Sequence, residues 1–118
     1  MDIDLCLANG IDYEAGLARF MGREKVYEAL LMEFLNDESY DKLKKALNDK
    51  DCKAAFDVAH TLKGVCGSLA MTELERVVSE VTEQLRAGRI ESAALLMCEV
   101  DEKYKKVHNF LSNIGEEK

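Results

Sequence analysis

Residues 54–69 read AAFDVAHTLKGVCGSL and predict a helix with two different faces. A helix advances roughly 100° per residue, so each side chain can be placed around the axis from sequence alone. The apolar side chains fall within an arc of roughly 100°, which predicts one buried face. These side chains are Ala55, Val58, Leu62, Val65, Cys66 and Leu69. The helix is expected over about residues 51–67, and Asp49 or Asp51 can cap its N-terminus.

Amphipathic segments also precede this helix. Residues 12–21 predict a short helix that Gly22 interrupts, residues 23–35 a second, and the polar NDKD of residues 48–51 ends a third. The apolar positions of the second and third recur at three-and-four spacing: Tyr27, Leu30, Leu31, Phe34 and Leu35, then Tyr40, Leu43, Ala46 and Leu47. We therefore expect accessory helices over about residues 12–48.

Two further helices are expected after the central one. Thr72 and Glu75 have the spacing of a capping box, which predicts a helix over about residues 73–87 that Gly88 ends in the left-handed conformation. The apolar side chains that form a stripe along this helix are Leu74, Val78, Val81 and Leu85. A long helix follows over about residues 90–114, with Gly115 just past its end. Its seam has a period of 3.5 and comprises Ile90, Ala93, Met97, Val100, Tyr104, Val107, Leu111 and Ile114.

The composition favours helices throughout. The chain has 118 residues, no proline and seven glycines, so we expect a single all-α domain over residues 1–118. Stripes of apolar side chains joined by short connections pack most simply as an antiparallel bundle. A monomer is expected. The alternative for the last helix is a coiled-coil dimer, although the other helices also need partners for their stripes.

The charge and the chain ends limit the possible partners. A net charge of −7 disfavours nucleic acid and anionic membrane surfaces as partners. The N-terminus MDIDLCLANG lacks the basic region of a signal peptide, and no apolar run is long enough to span a bilayer, so a cytoplasmic protein is expected. The initial methionine and the polar ending GEEK, residues 115–118, favour a free-standing protein.

The four cysteines do not form a recognisable motif. Cys6, Cys52, Cys66 and Cys98 lie far apart without CxxC spacing. Because nothing signals export, we interpret them as reduced packing residues rather than as disulfide, redox or metal-binding groups.

His60 lies on the opposite side of the central helix, roughly 170° from the middle of the apolar arc. Phe56, Lys63, Gly64 and Gly67 share this outward half. Each internal glycine costs about 1 kcal/mol relative to alanine, so folding alone does not account for two of them. We interpret the glycines and Phe56 as a docking surface that lets another macromolecule approach the imidazole. The alternatives are a solvated surface histidine and a Gly67 that simply ends the helix.

The residue types at this surface suit phosphoryl chemistry. An exposed imidazole is mostly neutral at neutral pH and is nucleophilic through one nitrogen, so it can accept a phosphoryl group. Lys63, one turn away, offers positive charge and donors to phosphoryl oxygens. A bundle metal site is not expected, because it needs two Glu-x-x-His pairs. Asp57 precedes His60 by three residues, but Lys105 occupies that place before His108.

The sequence AHTLKGVCGSL, residues 59–69, resembles the motif of histidine-containing phosphotransfer domains of two-component phosphorelays. The segments IDYEAGLARFMG and VYEALLMEF are also similar to those that precede the motif in many members. The resemblance implies a four-helix bundle with an accessory N-terminal helix, and phosphorylation of His60 on Nε2. It implies that Lys63 supports the phosphoryl group and that Gly64 admits the partner.

The resemblance also implies a function and its partners. The chain would be a phosphoryl carrier rather than an enzyme, relaying phosphate between receiver-domain aspartates or from a sensor histidine kinase to a response regulator. It would need no cofactor of its own, because the partner receiver supplies Mg²⁺ and the aspartate. No nucleotide-binding loop is present for autonomous phosphorylation. The alternative is a helical interaction module that binds signalling partners without carrying phosphate.

The sequence departs from the family pattern at two positions. Many members have glycine where this chain has Ala70, and often a glutamine on the next helix where Thr82 falls. The first change is expected to be tolerated. The second leaves open which group hydrogen-bonds the imidazole or its phosphate.

Overall fold

The computed structural model describes residues 1–116, and within them every regular element is helical. The helices are α1 (Ile3–Ala8), α2 (Tyr13–Arg19), α3 (Glu24–Glu33), α4 (Ser39–Asn48), α5 (Cys52–Ser68), α6 (Thr72–Arg86), α7 (Ile90–Leu95) and α8 (Met97–Glu116). A 3-10 turn at Phe34–Asn36 follows α3. The last two residues of the polar ending GEEK lie outside the described residues.

The helices pack as the expected bundle around α5. This helix lies against α4 on one side and α6 on the other, and α6 in turn contacts α7 and α8. The predicted stripe of α6 is buried at every position, and the α8 seam faces the other helices of the same chain. The apolar seam of α8 is therefore covered by helices of the same chain, and not by a second copy of α8 as in a coiled-coil dimer.

A short connection at residues 34–38 separates α3 from α4. The 3-10 turn tightens the end of α3, and Asp37 then adopts an extended conformation before α4 begins. The Asp37 carboxylate accepts a hydrogen bond from the backbone N–H of Ser39 at 2.8 Å, which fixes the start of α4. The two successive helices that the sequence predicts here are therefore present as α3 and α4, with residues 34–38 between them.

The C-terminal end of α5 is held by the accessory helices. Arg19 in α2 donates a hydrogen bond to the carbonyl of Gly67. The Tyr27 hydroxyl in α3 donates a hydrogen bond to the carbonyl of Leu69 at 2.8 Å. The backbone N–H of Asp12 donates a hydrogen bond to the carbonyl of Ala70 at 2.9 Å. Carbonyls at a helix C-terminus lack partners within the helix, so these contacts satisfy them and join the N-terminal segment to the bundle.

Of the two capping aspartates considered for α5, the structure uses Asp51, which accepts a hydrogen bond from the backbone N–H of Ala54 at 3.0 Å. The predicted capping box of α6 is wrong. Met71 is the N-cap and makes no side-chain capping bond, because Thr72 is already helical. Met71 is fully buried, so the chain turns directly from α5 into α6 around an apolar side chain.

The last helix also differs from its prediction. The segment breaks at Leu96 into α7 and α8, and the backbone N–H of Glu99 bonds to the Leu96 carbonyl with the tighter 3-10 spacing. Gly115 lies inside α8 rather than past its end. The sequence contains neither proline nor glycine around Leu96, so nothing in it marks the break.

The N-terminal helix α1 was not predicted. Asp2 caps it by accepting a hydrogen bond from the backbone N–H of Leu5 at 3.0 Å. Only Cys6 of this helix is buried, and Ile3, Leu5 and Leu7 are exposed. Their alternating spacing is not the three-and-four spacing of an amphipathic helix, which is why the helix escaped a search for that pattern.

The cysteines are free and have different surroundings. Cys6 and Cys66 are buried, Cys52 is half-buried and Cys98 is exposed. The packing role expected of all four is therefore wrong for Cys98. None of the helices within residues 1–116 combines the length and apolar character needed to cross a membrane.

Candidate functional site

His60 is exposed on α5, and the opposite face of the helix is buried. Ala55, Leu62 and Cys66 are fully buried, and burial raises the pKa of the Cys66 thiol. Val58 and Val65 are only partly buried, and Ala59, which the sequence did not place on the buried face, is fully buried. The expected outward direction of His60 is confirmed, because Ala59 points into the core and the next residue projects about 100° away.

Phe56 lies beside the imidazole but is less exposed than expected. The two ring centroids are 5.9 Å apart. The Phe56 ring is half-buried, and the Arg86 guanidinium of α6 lies over it, 5.0 Å from the ring centroid. This cation–π contact joins α6 to the histidine-bearing face of α5. Arg86 also pairs with Glu83 at 3.2 Å, so its charge is partly balanced.

Arg86 was not singled out from the sequence. It lies one turn after Thr82, the position at which the resemblance marks the next helix as part of the site. That spacing is the signal that could have found it.

Of the two lysines on α5, Lys53 forms an ion pair within the described residues and Lys63 does not. Lys53 and Asp57 form an ion pair at 3.5 Å on the exposed surface. Lys63 is half-buried and has no ion-pair partner among residues 1–116. A side chain in this position keeps its ammonium group free to bind an anion near His60, whereas Lys53 already has a counter-charge.

Gly64 and Gly67 have opposite surroundings. A Cβ atom on Gly64 would meet nothing within 4 Å, so this glycine opens to solvent. A Cβ atom on Gly67 would collide with the Glu75 carboxylate of α6. Gly67 also does not end the helix, which continues to Ser68. Gly67 therefore leaves room for the Glu75 side chain of α6, whereas Gly64 leaves free space one turn from His60.

A groove of about 490 Å³ opens beside Gly64. The break at residues 34–38 forms one wall, and Thr61 and Val65 of α5 form the other. Its lining is mostly apolar, with Phe20, Leu30 and Phe34 as the largest side chains. The structure thus places an apolar depression beside Gly64, one turn from His60, which the sequence did not predict because it depends on how α3 and α5 lie relative to each other.

The two departures from the family pattern have different consequences. Ala70 has φ 57°, a left-handed conformation that glycine adopts without strain, so alanine is accommodated at an energetic cost. Thr82 is fully buried, and its hydroxyl donates to the Val78 carbonyl at 2.7 Å. Its hydrogen bond is therefore made within its own helix and is not offered to the exposed imidazole of His60.

The second histidine lies elsewhere on the bundle. His108 in α8 is half-buried beside Tyr104, with ring centroids 5.5 Å apart, and its Nδ1 is 3.5 Å from the Ser112 hydroxyl. Residues 1–116 contain no group of three or more His, Cys, Asp or Glu side chains that could hold a metal ion.

Comparisons with known proteins give one result. A family model described as Hpt domain matches residues 30–110, which include α4, α5, α6 and α7. No match was found among curated proteins or among solved structures. The match covers the His60 motif and the greater part of the bundle, and it leaves out α1 and α2.

Proposed function

Because the chain belongs to the Hpt-domain family, we propose that it is a phosphoryl carrier in which His60 accepts and donates the phosphoryl group. Hpt domains act in histidine phosphotransfer in two-component signalling, with receiver domains or kinases as their partners. The chain would relay phosphate between receiver aspartates, or from a sensor histidine kinase to a response regulator. The observation that carries this proposal is the exposed imidazole of His60 between the free ammonium of Lys63 and the open surface at Gly64.

The proposed transfer is a displacement at phosphorus. The lone pair of His60 Nε2 forms the P–N bond while the P–O bond to the receiver's aspartyl carboxylate breaks, and Nδ1 keeps its proton. The carboxylate is the leaving group. In the reverse step the phosphoryl group returns to the receiver carboxylate, which again becomes an acyl phosphate. The receiver supplies this aspartate and a Mg²⁺ ion, which neutralises the phosphoryl charge. This chain contributes position, because Phe56 and Gly64 form the surface on which the receiver rests.

The main test compares the two histidines. Purified receiver domains from the same genome are phosphorylated with radioactive acetyl phosphate, freed of donor and mixed with the wild type, His60→Gln or His108→Gln. We expect the wild type and His108→Gln to accept an acid-labile, base-stable label and His60→Gln to accept none. Equal labelling of the wild type and His60→Gln would refute the proposal. Binding that His60→Ala leaves unchanged, with no phosphohistidine, would favour an interaction module instead.

Lys63 is expected to stabilise the phosphoryl group during transfer. A hydrogen bond to a charged group contributes about 1.5–3 kcal/mol, so Lys63→Ala should slow transfer about tenfold or more at saturating receiver. Lys63→Arg keeps the charge and should retain most of the rate. Lys53→Ala is the matched control, because it removes a lysine of the same helix that is already paired with Asp57. Equal rates for Lys63→Ala and Lys53→Ala would exclude this role.

A further inference from the structure

The groove beside Gly64 carries charge of one sign. The residues that line it are apolar or uncharged except for Glu33 and Asp37, and no basic residue lines it. Glu33 is exposed at the end of α3 and has no ion-pair partner in the described part of the chain. Asp37 is half-buried, and its carboxylate accepts the Ser39 N–H bond at the start of α4. The groove is thus an apolar depression with an acidic edge.

The position of the groove relates it to the phosphoryl site. Gly64 lines it, and Thr61 on its wall directly follows His60 in the sequence. A protein that brings a phosphoaspartate to His60 must cover this part of α5, so its surface lies over the groove. Leu30, 40% exposed, projects from α3 as the apolar contact that such a partner would bury.

We propose that this groove determines which receiver domain docks: it selects a partner helix whose apolar side chains are flanked by Lys or Arg. The proposal rests on the proposed function and adds the chemistry of the partner. Apolar burial supplies the affinity, because the lining side chains leave water when the helix is seated. Glu33 and Asp37 supply selectivity, since a basic residue at the edge finds an opposite charge and an acidic one is repelled.

The lining of the groove extends beyond the residues that the family model matches. Phe20 lies at the end of α2, outside residues 30–110, and forms part of the lining. The opposite wall, on α5, belongs to the phosphotransfer motif. Phe20 is thus the part of the lining outside the family match, whereas Leu30, Glu33 and Asp37 of the same wall lie within it.

The first test reverses one charge. Transfer from each receiver that phosphorylates the wild type is measured for Glu33→Lys and for Glu102→Lys, which makes the same change at an exposed site on α8. At low salt, Glu33→Lys should lower kcat/KM about three- to tenfold through KM, and about 0.5 M NaCl should largely remove the difference. Changing the basic residue of the receiver's docking helix to Glu should restore transfer to Glu33→Lys.

The second test removes the apolar contact. Leu30→Asp should slow transfer at least tenfold through KM, whereas Leu95→Asp, on the 82% exposed Leu95, should transfer like the wild type. Phosphoramidate, which needs no docking surface, should label His60 equally in all these variants. The inference is wrong if Glu33→Lys matches Glu102→Lys and Leu30→Asp matches Leu95→Asp. In that outcome the proposed function still stands if only His60→Gln fails to accept label.

Discussion

Gly64 and Gly67 are three residues apart on one helix, yet only one of them faces open space. A side chain at Gly67 would have to displace the Glu75 carboxylate, so packing within the chain accounts for a small residue there. No contact within the chain requires Gly64, and an internal helical glycine costs roughly 1 kcal/mol relative to alanine. A destabilising residue with no packing reason is expected where a partner needs the space.

This difference predicts that stability and transfer change in opposite directions in Gly64→Gln. Glutamine is a better helix former than glycine, and its side chain would extend into solvent, so the free energy of unfolding should rise by about 0.5 kcal/mol. The same side chain would obstruct the docking partner, and overpacking of about 1–3 kcal/mol corresponds to a loss of transfer of about five- to 150-fold. Urea denaturation and receiver-dependent labelling measure the two effects.

Gly67→Ala is the control for this prediction. Its methyl group would displace the Glu75 carboxylate, so it should gain little or no stability. Labelling of Gly64→Gln by phosphoramidate should match the wild type, because the small donor does not need the docking surface. Unchanged transfer from phosphorylated receivers would mean that Gly64 has no part in docking.

At the scale of the elements, several helices end in the same way, and this explains where the sequence-based boundaries succeeded. After α4, α5 and α6, the second residue past the helix has a positive φ, and the backbone N–H of the third donates to a carbonyl five residues back. At these three ends the residues with positive φ are Lys50, Ala70 and Gly88. Of these three only Gly88 is a glycine, so at these ends it is the one left-handed stop that the sequence marks.

The same comparison explains the remaining errors of prediction. The stripes of α4 and α6 were predicted correctly because burial imposes the helical period on the sequence. The break at Leu96, the 3-10 turn at Phe34–Asn36 and the N-cap at Met71 involve no glycine or proline, so tertiary packing sets them. The exposed His60 followed from the helical angle alone, whereas the groove and Arg86 required the relative positions of different helices.

Lys50 offers a direct test of the left-handed stop. Its φ is 56°, and this conformation costs roughly 1–2 kcal/mol for a residue with a Cβ atom. Glycine removes that strain. It also gives the unfolded chain more conformational freedom, which lowers the free energy of unfolding by about 0.4–1 kcal/mol. Lys50→Gly should therefore raise the free energy of unfolding by about 0.5–1 kcal/mol. Lys50→Ala keeps the strain and should remain near the wild type in the same urea titration; equal stability of the two variants would contradict this account.

At the scale of the whole molecule, the two halves of the chain act on α5 from different sides. Helices α4 and α6 lie against its buried face, and α2 and α3 hold its C-terminal end through Arg19 and Tyr27. The face that bears His60 remains uncovered between them. The rigidity of the phosphotransfer surface therefore depends on contacts that lie on other helices, including the ion pairs that join α6 to α8.

Glu73 in α6 is the centre of that junction. Its carboxylate lies 3.1 Å from the Lys103 ammonium and 3.5 Å from that of Lys106, both in α8. Partial burial raises the pKa of Glu73, but the hydrogen bonds and charges of the two lysines lower it more, so the pKa lies below its ordinary value of 4.5. A carboxylate with a lowered pKa stabilises the fold above the ordinary value, and this contribution disappears as the pH falls through the folded-state pKa.

Glu73→Gln should therefore have a lower Tm than the wild type at pH 7, and the difference should shrink as the pH is lowered from about 6 to 3. The variant keeps the size of the side chain and removes only its charge. Glu91→Gln, at an exposed position of α7 without an ion pair in the described chain, is the control and should follow the wild type throughout. Circular dichroism melting at each pH measures the effect. A Tm difference that stays constant down to pH 3 would show that packing of the Glu73 side chain, and not its charge, joins the two helices.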